Sequence, residues 1–477
     1  MSDISFGTDG WRGIIGDDFT YETVRAVASA SAEVFAQDAG SAQGKRMVVG
    51  YDMRFEADSF ASAVAEVLAQ RGFEVLLSDR PLPTPGVCYC VAHDADAVGG
   101  LMLTASHNPA KWLGIKVRMA DGGASPSTFT DRIEEALGRQ IGIDPSASVE
   151  PGAVIKTDLV RIYLDGIRTS LARFAPPQVL SVDPIRIVID PMYGADQGLL
   201  AELMREQGVE VVEIHAQRNP GFGGLHPEPI APWTDEASSA VVEHSASGAF
   251  IVDGDGDRIG AIDERGTYIT PHRILALLIQ HLVEDLGRKG RVVKTLALSR
   301  TIDRLGEKLG IEVDVRPIGF KWVYEEMLKG DVLIGGEESG GIGIAEHVLE
   351  RDGMLMALLL LQMMRLRTKT LGELVADFEA QIGNLYYKRR DLKLDEESAR
   401  RFREELVHAS PTEMAGRPIR SIDRLDGLKL LFDDDEWLLL RGSGTEPLIR
   451  IYCEANTPER LEAYLDAGSS FARGEHV

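Results

Sequence analysis

Short apolar runs alternate with amphipathic helical patterns along most of the chain. Near the N-terminus, apolar runs at 46–52, 73–79 and 97–105 predict strands. The spacing of apolar residues over 58–72 predicts an amphipathic helix that ends at Gly72. Such alternation is typical of βαβ units, in which helices cover the faces of a parallel or mixed sheet.

The same pattern restarts twice further along the chain. A strand, a glycine turn, a helix and a second strand are predicted within 185–215. Strands are also predicted at 291–299, 311–319 and 331–336, with helices between them. The sequence therefore predicts three α/β modules of similar size.

The C-terminal part has a different pattern. Apolar strands at 436–442 and 448–455 flank a tight turn, and a helix begins at Pro458, after a linker near Gly383. The predicted fold class is α/β, with three similar mixed-sheet α/β domains and a smaller C-terminal α+β domain. The predicted domains are 1–165, 166–270, 271–382 and 383–477.

The length and the charge of the chain limit the classes of function that are possible. A chain of 477 residues is too long for one hydrophobic core, which agrees with several domains. Lysine and arginine total 51, aspartate and glutamate total 75, and the formal net charge is −24. This charge argues against a nucleic-acid partner and against adsorption to anionic membranes. An anionic ligand would need a site made locally positive by arginine, lysine, a metal ion or backbone N–H groups.

The pattern of apolar and basic residues predicts neither a signal peptide nor a membrane span. The longest apolar run, 354–364, is too short to cross a bilayer, and Asp352 is a good N-cap, so a core helix is expected there.

Three cysteines fit a reducing cytoplasm. Cys88 and Cys90 are interpreted as buried apolar residues, because no further metal ligands lie near them in the sequence.

Four loops carry candidate chemistry, and each follows an apolar strand, where ligands gather in open α/β sheets. The first loop contains Thr104, Ser106, His107 and Asn108. A serine is a weak nucleophile unless it is activated or already carries a charged group. Lys116 follows as a candidate base or electrostatic partner. The alternative is a capped turn, which serine, asparagine and proline often form.

The second loop alternates three aspartates, Asp253, Asp255 and Asp257, with glycines. Because neighbouring carboxylates repel one another, we expect a divalent cation, and oxygen ligands suit Mg²⁺ or Ca²⁺. An EF-hand is the rival, since Glu264 falls where that motif has its bidentate glutamate. However, Arg258 replaces the glycine that an EF-hand needs, and strands replace its helices. We therefore expect Mg²⁺ with Arg258 beside it; a plain acidic turn is the other alternative.

The third loop surrounds three polar residues, Glu337, Glu338 and Ser339, with glycines. Carboxylates and hydroxyls form hydrogen bonds with sugar hydroxyls. A plain glycine turn is the alternative, whereas a dinucleotide-binding loop is disfavoured because G-x-G-x-x-G is not formed. Two further segments, a glycine-rich turn with Arg12 and a strand-end loop at 319–323 with Lys321, predict little by themselves.

The fourth loop places Arg441, Ser443, Thr445 and Arg450 around a tight turn. Planar guanidinium groups and exposed turn N–H groups bind phosphate well. The loop is therefore a candidate anchor for a phosphate that does not react. A surface hairpin with salt bridges is the alternative.

Together and in this order, the loops resemble those of the α-D-phosphohexomutase family, which includes phosphoglucomutases, phosphomannomutases and phosphoglucosamine mutases. The segments GTDGWRG, PLPTP, TASHNP, DGDGDR, GEESGG and RGSGTEP match the family in order and approximate spacing over nearly the whole chain. The resemblance implies three similar α/β domains and a smaller fourth domain around a central cleft, in agreement with the predicted modules.

The resemblance also implies a role for each loop. Ser106 would carry the phosphoryl group, with Lys116 as the first candidate for the general base and His107 as the second. The implied catalytic residues are Ser106, Lys116, His107, Arg12 and Arg258; the implied Mg²⁺ ligands are Ser106, Asp253, Asp255 and Asp257; the implied substrate-binding residues are Glu337, Ser339, Lys321, Arg441, Ser443, Gly444, Thr445 and Arg450.

The implied reaction interconverts hexose 1-phosphate and hexose 6-phosphate through phospho-Ser106 and a hexose 1,6-bisphosphate, with glucose 1,6-bisphosphate as activator. Glu338 and the segment HVLERDG favour glucose, whereas Gly340 departs from the glucose pattern and Gly341 replaces the histidine of the mannose and glucosamine enzymes. A phosphomannomutase, a bifunctional enzyme and, less readily, a phosphoglucosamine mutase are alternatives within the family. A metal-dependent sugar phosphatase and a non-enzymatic sugar-phosphate-binding protein are alternatives outside it.

Overall fold

The computed structural model describes residues 4–7, 9–139, 150–176, 183–442 and 448–475. Within these residues the chain forms four consecutive modules, each built on its own main sheet. The first three sheets mix parallel and antiparallel pairs, and the fourth is antiparallel. The predicted fold class is therefore confirmed.

The first module has a six-stranded sheet and contains the strands and the helix predicted near the N-terminus. The helix is followed by Gly72, whose φ of +98° suits glycine. Cys88 and Cys90 are buried, as predicted. The elements are β1 (Trp11–Ile14), α1 (Tyr21–Ala39), β2 (Arg46–Tyr51), α2 (Ala57–Gln70), β3 (Glu74–Ser78), α3 (Thr84–Ala92), β4 (Ala97–Leu103), β5 (Trp112–Met119), α4 (Ser127–Arg139), β6 (Val154–Thr157) and α5 (Leu159–Arg173), with the sheet order β1-β5-β4-β2-β3-β6.

The second module repeats the arrangement with a five-stranded sheet. Its central strands are buried and parallel, and the chain then turns back into an antiparallel pair. The elements are β7 (Arg186–Asp190), α6 (Leu199–Glu206), β8 (Glu210–Glu213), α7 (Asp235–Glu243), β9 (Gly248–Val252), β10 (Ile259–Asp263) and β11 (Tyr268–Ile269), with the sheet order β11-β10-β9-β7-β8.

The third module corrects one prediction. Lys321 lies in the first turn of a helix and not in a strand-end loop, because Phe320, Val323, Tyr324 and Met327 form a buried face at helical spacing. The elements are α8 (Pro271–Gln280), β12 (Arg291–Thr295), α9 (Arg300–Leu309), β13 (Val313–Arg316), α10 (Phe320–Met327), β14 (Val332–Gly336), β15 (Ile342–Gly343), α11 (Gly353–Arg367) and α12 (Leu371–Ile382), with the sheet order β13-β12-β14-β15.

The fourth module is smaller, and its main sheet is antiparallel, as expected for an α+β domain. The predicted strands at 436–442 and 448–455 pair with each other. The elements are β16 (Tyr386–Lys393), α13 (Glu396–Leu406), β17 (Glu413–Met414), β18 (Arg417–Pro418), β19 (Ser421–Asp423), β20 (Leu428–Leu431), β21 (Trp437–Gly442), β22 (Leu448–Ala455) and α14 (Pro458–Ala472), with the main sheet order β16-β22-β21-β20-β19.

Helix α11 lies at the centre of the hydrophobic core that joins the first three modules. It is apolar on all sides and contacts α5, α8, β9 and β10. The side chain of Asp352 caps it by accepting a hydrogen bond from the N–H of Leu355 at 2.8 Å. The apolar run at 354–364 is therefore a core helix, as predicted. In the described part of the chain, no helix combines the length and the apolarity needed to cross a membrane.

A buried carboxylate joins the fourth module to the third. Glu454 on β22 accepts hydrogen bonds from the backbone N–H of Arg300 and from Trp437 Nε1, both at 2.9 Å. Arg300 begins α9, and a negative charge is favourable at a helix N-terminus. Apolar residues of both modules, including Leu296 and Tyr452, pack beside this contact. Glu454 therefore satisfies donors from both modules within one buried interface.

Replacing Glu454 by alanine removes the acceptor of these two N–H groups. Each unpaired buried group costs roughly 1–3 kcal/mol, so we expect faster deuterium exchange in 300–309 and 448–455. The matched control is Glu462→Ala, whose partly exposed side chain pairs with Lys388 and whose loss should leave exchange in both segments unchanged. Unchanged exchange in Glu454→Ala would contradict the role of this contact.

Candidate active site

Loops from the first three modules meet at a group of buried charged side chains, here called the charge cluster: Asp9, Lys116, Asp255, Asp257 and Arg351. Lys116 Nζ lies 2.8 Å from Oδ2 of both Asp255 and Asp257. It also lies 3.0 Å from Asp9 Oδ2. Arg351 Nη2 lies 3.0 Å from the same Asp9 oxygen and 2.8 Å from Asp257 Oδ2. Two cations thus hold carboxylates that come from different parts of the chain.

Ser106 lies beside this cluster, on the turn between β4 and β5. Its backbone is left-handed, with φ of +50°, which is uncommon for a residue other than glycine. The hydroxyl Oγ lies 3.1 Å from Asp253 Oδ2 and 3.3 Å from His107 Nδ1. The side chain is buried. The turn therefore holds the Ser106 hydroxyl against the aspartate loop.

The three aspartates that follow β9 fit a divalent cation. All three are fully buried, and one carboxylate oxygen of each lies within 4.8 Å of the others. Among the described residues, Asp255 Oδ1 and Asp257 Oδ1 have no hydrogen-bond partner. Unpaired buried carboxylate oxygens are costly, and hard cations such as Mg²⁺ take them as ligands. The EF-hand alternative is wrong, because strands β9 and β10 flank the loop.

The protonation of these carboxyls reflects the charges around them. Burial, together with the negative charges of Asp257 and Asp255, raises the pKa of Asp253 well above its usual value, although Arg258 and Lys116 oppose the rise. Burial acts in the same direction on Asp255, but the contact with Lys116 outweighs it and holds the pKa of Asp255 below its usual value. The positively charged side chains therefore offset the negative charge of Asp255 more than that of Asp253, which favours a further cation near Asp253.

Two guanidinium groups surround His107, the neighbour of Ser106. Burial lowers the pKa of His107 well below its usual value, and the positive charges of Arg258 and Arg12 lower it further. Arg258 Nη1 donates to Glu228 Oε1 at 3.1 Å. The lowered pKa favours the neutral imidazole, in which one ring nitrogen accepts hydrogen bonds and the other donates them.

The third loop joins the charge cluster through Glu337. Glu337 Oε2 lies 3.5 Å from Arg351 Nη1. Burial raises the pKa of Glu337 to about 7, although Arg351 acts to lower it. The neighbouring Glu338 accepts a hydrogen bond from Thr295 Oγ1 at 3.1 Å, and Ser339 is only half-buried. The loop therefore presents one buried carboxyl and one accessible hydroxyl at the site.

The fourth loop brings two arginines together. Arg441 on β21 lies directly opposite Arg450 on β22. Arg441 Nε donates to Asp426 Oδ1 at 2.9 Å, whereas Arg450 Nε finds no hydrogen-bond partner in the part of the chain that the structure describes. Like charges that face each other on a sheet repel, so an anion between them would be stabilising. Three further predicted members of this loop, Ser443, Gly444 and Thr445, lie outside the described residues.

Arg351 is the main residue of this site that the sequence analysis did not identify. It contacts carboxylates of the first, second and third modules, Asp9, Asp257 and Glu337. The only sequence signal is the segment HVLERDG, whose position near the site depends on how the third module packs. Thr84, in the segment PLPTP, was missed for the same reason, and its Oγ1 donates to Asp255 Oδ2.

Comparisons with known proteins agree with this architecture. Family models of phosphoglucomutase/phosphomannomutase match four consecutive parts of the chain: α/β/α domain I at 3–141, α/β/α domain II at 162–266, α/β/α domain III at 270–381 and the C-terminal domain at 387–467. The chain therefore belongs to the phosphoglucomutase/phosphomannomutase family of α-D-phosphohexomutases, which are intramolecular phosphotransferases.

Similar proteins carry names that differ in the sugar. A phosphoglucomutase/phosphomannomutase of Thermococcus kodakarensis is 30% identical over 466 residues, which cover 97% of each chain. A phosphoglucosamine mutase of Frankia casuarinae is 32% identical over 473 residues, which cover 96% of this chain and 95% of the relative. The crystal structure of a putative phosphomannomutase from Thermus thermophilus has a TM-score of 0.84 and 35% identity, and the match covers 99% of this chain and 100% of that one.

Mg²⁺ should stabilise the folded protein through the aspartate loop. At a concentration 100 times the Kd, a ligand that binds only the folded state adds about 2.7 kcal/mol of stability. We expect Mg²⁺ to raise the thermal unfolding midpoint relative to EDTA, and Asp253→Asn to lose most of this increase. Asp434→Asn, which changes an exposed aspartate of the acidic run 433–435, is the matched control. An undiminished Mg²⁺ effect in Asp253→Asn would exclude this loop as the metal site.

The raised pKa of Glu337 predicts a pH dependence of stability. The folded state keeps the Glu337 proton up to about pH 7, whereas the unfolded state loses it near 4.5. The contribution of neutral Glu337 is therefore fully present below pH 4.5 and is lost as the pH rises through 7. Relative to Glu337→Gln, the unmodified protein should lose thermal stability between about pH 5 and pH 8 in metal-free buffer.

Glu338→Gln is the matched control for this measurement, because it removes a carboxylate from the same loop. It shows how much of the effect comes from the removal of any carboxylate from this loop. Parallel pH profiles of the unmodified protein and Glu337→Gln would show that Glu337 titrates at its ordinary value.

Proposed function

We propose that this protein interconverts hexose 1-phosphate and hexose 6-phosphate, with glucose as the preferred hexose, through a phosphoryl group carried on Ser106. The observation that carries the proposal is the 3.1 Å contact between Ser106 Oγ and Asp253 Oδ2. It directs a buried hydroxyl at a group of carboxylates that suits a divalent cation. A phosphate on this serine would face the cation rather than bulk water, which suits a phosphoryl carrier.

Asp253, Asp255 and Asp257, together with a phosphoserine oxygen, are the proposed ligands of Mg²⁺. When bound, Mg²⁺ would neutralise charge on the phosphoryl group that is transferred. Lys116 contacts two of these aspartates and Arg351 contacts one of them. These side chains offset part of the negative charge of the aspartate loop on a chain whose net charge is −24.

The proposed reaction has two phosphoryl transfers. Phospho-Ser106 first gives its phosphoryl group to the free hydroxyl of a hexose 1-phosphate, which forms a hexose 1,6-bisphosphate. The bisphosphate turns over in the site, and its other phosphate returns to Ser106 to leave the 6-phosphate. Arg441 and Arg450 would hold whichever phosphate does not react, and Glu337 and Ser339 would orient the sugar hydroxyls, with Lys321 nearby.

His107 is the proposed proton carrier. Its Nδ1 lies 3.3 Å from Ser106 Oγ, within reach of a proton that moves between the serine and the sugar. Lys116 was the first candidate from the family resemblance, but its Nζ lies within 3.0 Å of three carboxylate oxygens. We propose that Lys116 instead fixes the aspartate loop and offsets the charge of phosphate.

The identity of the preferred sugar is the most specific part of the proposal. Glu338, beside Glu337, supports glucose through the resemblance of the loop to glucose enzymes. Glucosamine phosphates are the second candidate, because the Frankia relative is named a phosphoglucosamine mutase. The three buried free cysteines fit a cytoplasmic location for either substrate.

We expect the protein to convert glucose 1-phosphate to glucose 6-phosphate when Mg²⁺ and trace glucose 1,6-bisphosphate are present, with little release of inorganic phosphate. Ser106→Ala should lower kcat by more than about 1,000-fold, because the phosphoryl carrier is missing. The matched control is Ser78→Ala, which removes another buried hydroxyl of the first module. Coupled assays of hexose 6-phosphate and phosphate measure both products.

Each contrary outcome has a distinct meaning. Full activity of Ser106→Ala would overturn the carrier mechanism. Stoichiometric phosphate release without hexose 6-phosphate would identify a phosphatase. Faster conversion of mannose 1-phosphate or glucosamine 1-phosphate would overturn only the choice of glucose.

A further inference from the structure

A buried arginine holds the turn that carries Ser106. Arg54 follows β2, and its guanidinium is fully buried. Its Nη2 donates to the carbonyl oxygens of Ser106 at 2.5 Å and Asn108 at 2.7 Å. Its Nη1 donates to the carbonyl oxygens of Pro109 and Trp112, both at 3.0 Å. One side chain thus binds four carbonyls in and beside the turn between β4 and β5.

Asp52 connects Arg54 to the other side of the same turn. Asp52 Oδ2 accepts from Arg54 Nε at 3.1 Å and from Thr104 Oγ1 at 2.7 Å. Thr104 Oγ1 in turn accepts from the N–H of Ser106 at 2.8 Å. Asp52, Arg54 and Thr104, here called the serine clamp, therefore hold both the N–H and the C=O of Ser106.

The clamp depends on the forked shape of arginine. All five N–H donors of the Arg54 guanidinium are used, one on Asp52 and four on carbonyl oxygens. A lysine has three donors on one nitrogen and cannot reach the same set of acceptors. The face of the guanidinium lies 4.8 Å from the ring centroid of Phe222, which comes from the second module. Hydrogen bonds from its N–H groups and the contact of its planar face with Phe222 therefore both fix the Arg54 guanidinium.

The conformation that the clamp holds is one that Ser106 would not adopt readily alone. A φ of +50° is disfavoured for a residue with a side chain. On the other side of the turn, a Cβ added to Gly254 would lie 2.7 Å from the carbonyl oxygen of Ser106, so the aspartate loop lies close against the same peptide group. The Ser106 backbone is thus confined between Arg54 and the aspartate loop.

We propose that Arg54 is a positioning residue for phosphoryl transfer: with Asp52 and Thr104 it fixes the Ser106 backbone, so that Oγ and the phosphate on it face Asp253. The inference rests on the proposed function of Ser106 as a phosphoryl carrier. The contacts of the Arg54 side chain described above lie on the serine turn, on Asp52 and on Phe222, and none is with the sugar loop or the fourth loop. Loss of the clamp therefore slows transfer without weakening substrate binding.

The test separates kcat from KM. Arg54→Lys keeps the positive charge but loses the fork, and we expect kcat to fall about 100-fold, since displacement of a reacting group by about 1 Å costs this much. KM for hexose 1-phosphate should change less than about 3-fold. Thr104→Val removes the link between Asp52 and the Ser106 N–H at similar volume, and we expect a fall in kcat of about 10-fold with the same KM.

The matched control is Arg424→Lys. Arg424 also donates to backbone carbonyls, those of Leu406 at 3.2 Å and Val407 at 3.0 Å, but in the fourth module. Its substitution should leave kcat and KM unchanged. Circular dichroism and thermal unfolding check that each variant is folded. If Arg54→Lys does not fold, the kcat and KM of Thr104→Val test the proposal.

Intact mass spectrometry of the unmodified protein distinguishes failure of the inference from failure of the proposed function. Phosphate on Ser106, together with the predicted fall in kcat at constant KM, supports the clamp. Phosphate on Ser106 with unchanged kcat in the folded variants overturns the clamp alone. An active protein that never carries phosphate on Ser106 overturns the carrier function and the clamp with it.

Discussion

Three carboxylates on one buried loop require positive charge from elsewhere, and much of the site follows from this constraint. Asp253, Asp255 and Asp257 are completely enclosed, so water cannot screen their repulsion. Lys116 reaches them from the first module and Arg351 from the third. The two side chains that offset the charge of the aspartate loop therefore also connect three modules to one another. Removing one partner of such a contact would leave a buried charge exposed to repulsion.

The same constraint bears on how an acidic chain would bind the phosphorylated sugar that we propose as its substrate. The net charge of −24 belongs to the whole chain, whereas the surroundings of Ser106 contain Arg12, Arg54 and Arg258 in addition to Lys116. These cations are buried or half-buried, where their fields are weakly screened. A transferring phosphoryl group would thus meet buried cations on a chain whose net charge is negative. Positioning and charge neutralisation are the main contributions that a protein makes to phosphoryl transfer.

The sequence predicts the features that depend on local patterns. Apolar alternation predicts the modules, and the position of each polar loop after a strand predicts that Ser106 and the aspartates lie at strand ends. The contacts that depend on packing between modules are not predictable in this way. Arg351 contacts Asp9 and Asp257, and Thr84 contacts Asp255, only when the modules dock. Local patterns also gave the wrong structure for Lys321, because the short helix α10 begins immediately after a glycine turn. Strand β16 was not identified, because its many charged residues hide a strand pattern.

The proposed function requires that Ser106 carries phosphate to the sugar and not to water. The most direct measurement loads the protein with ³²P on Ser106 by means of labelled glucose 1,6-bisphosphate and removes the excess. It then follows a single turnover with unlabelled glucose 1-phosphate in a rapid-quench experiment. If Ser106 is the carrier, the label leaves the protein and appears at the 6-position of the sugar phosphate at a rate no slower than kcat. Label that appears as inorganic phosphate, or that stays on Ser106 while glucose 6-phosphate forms, would contradict it.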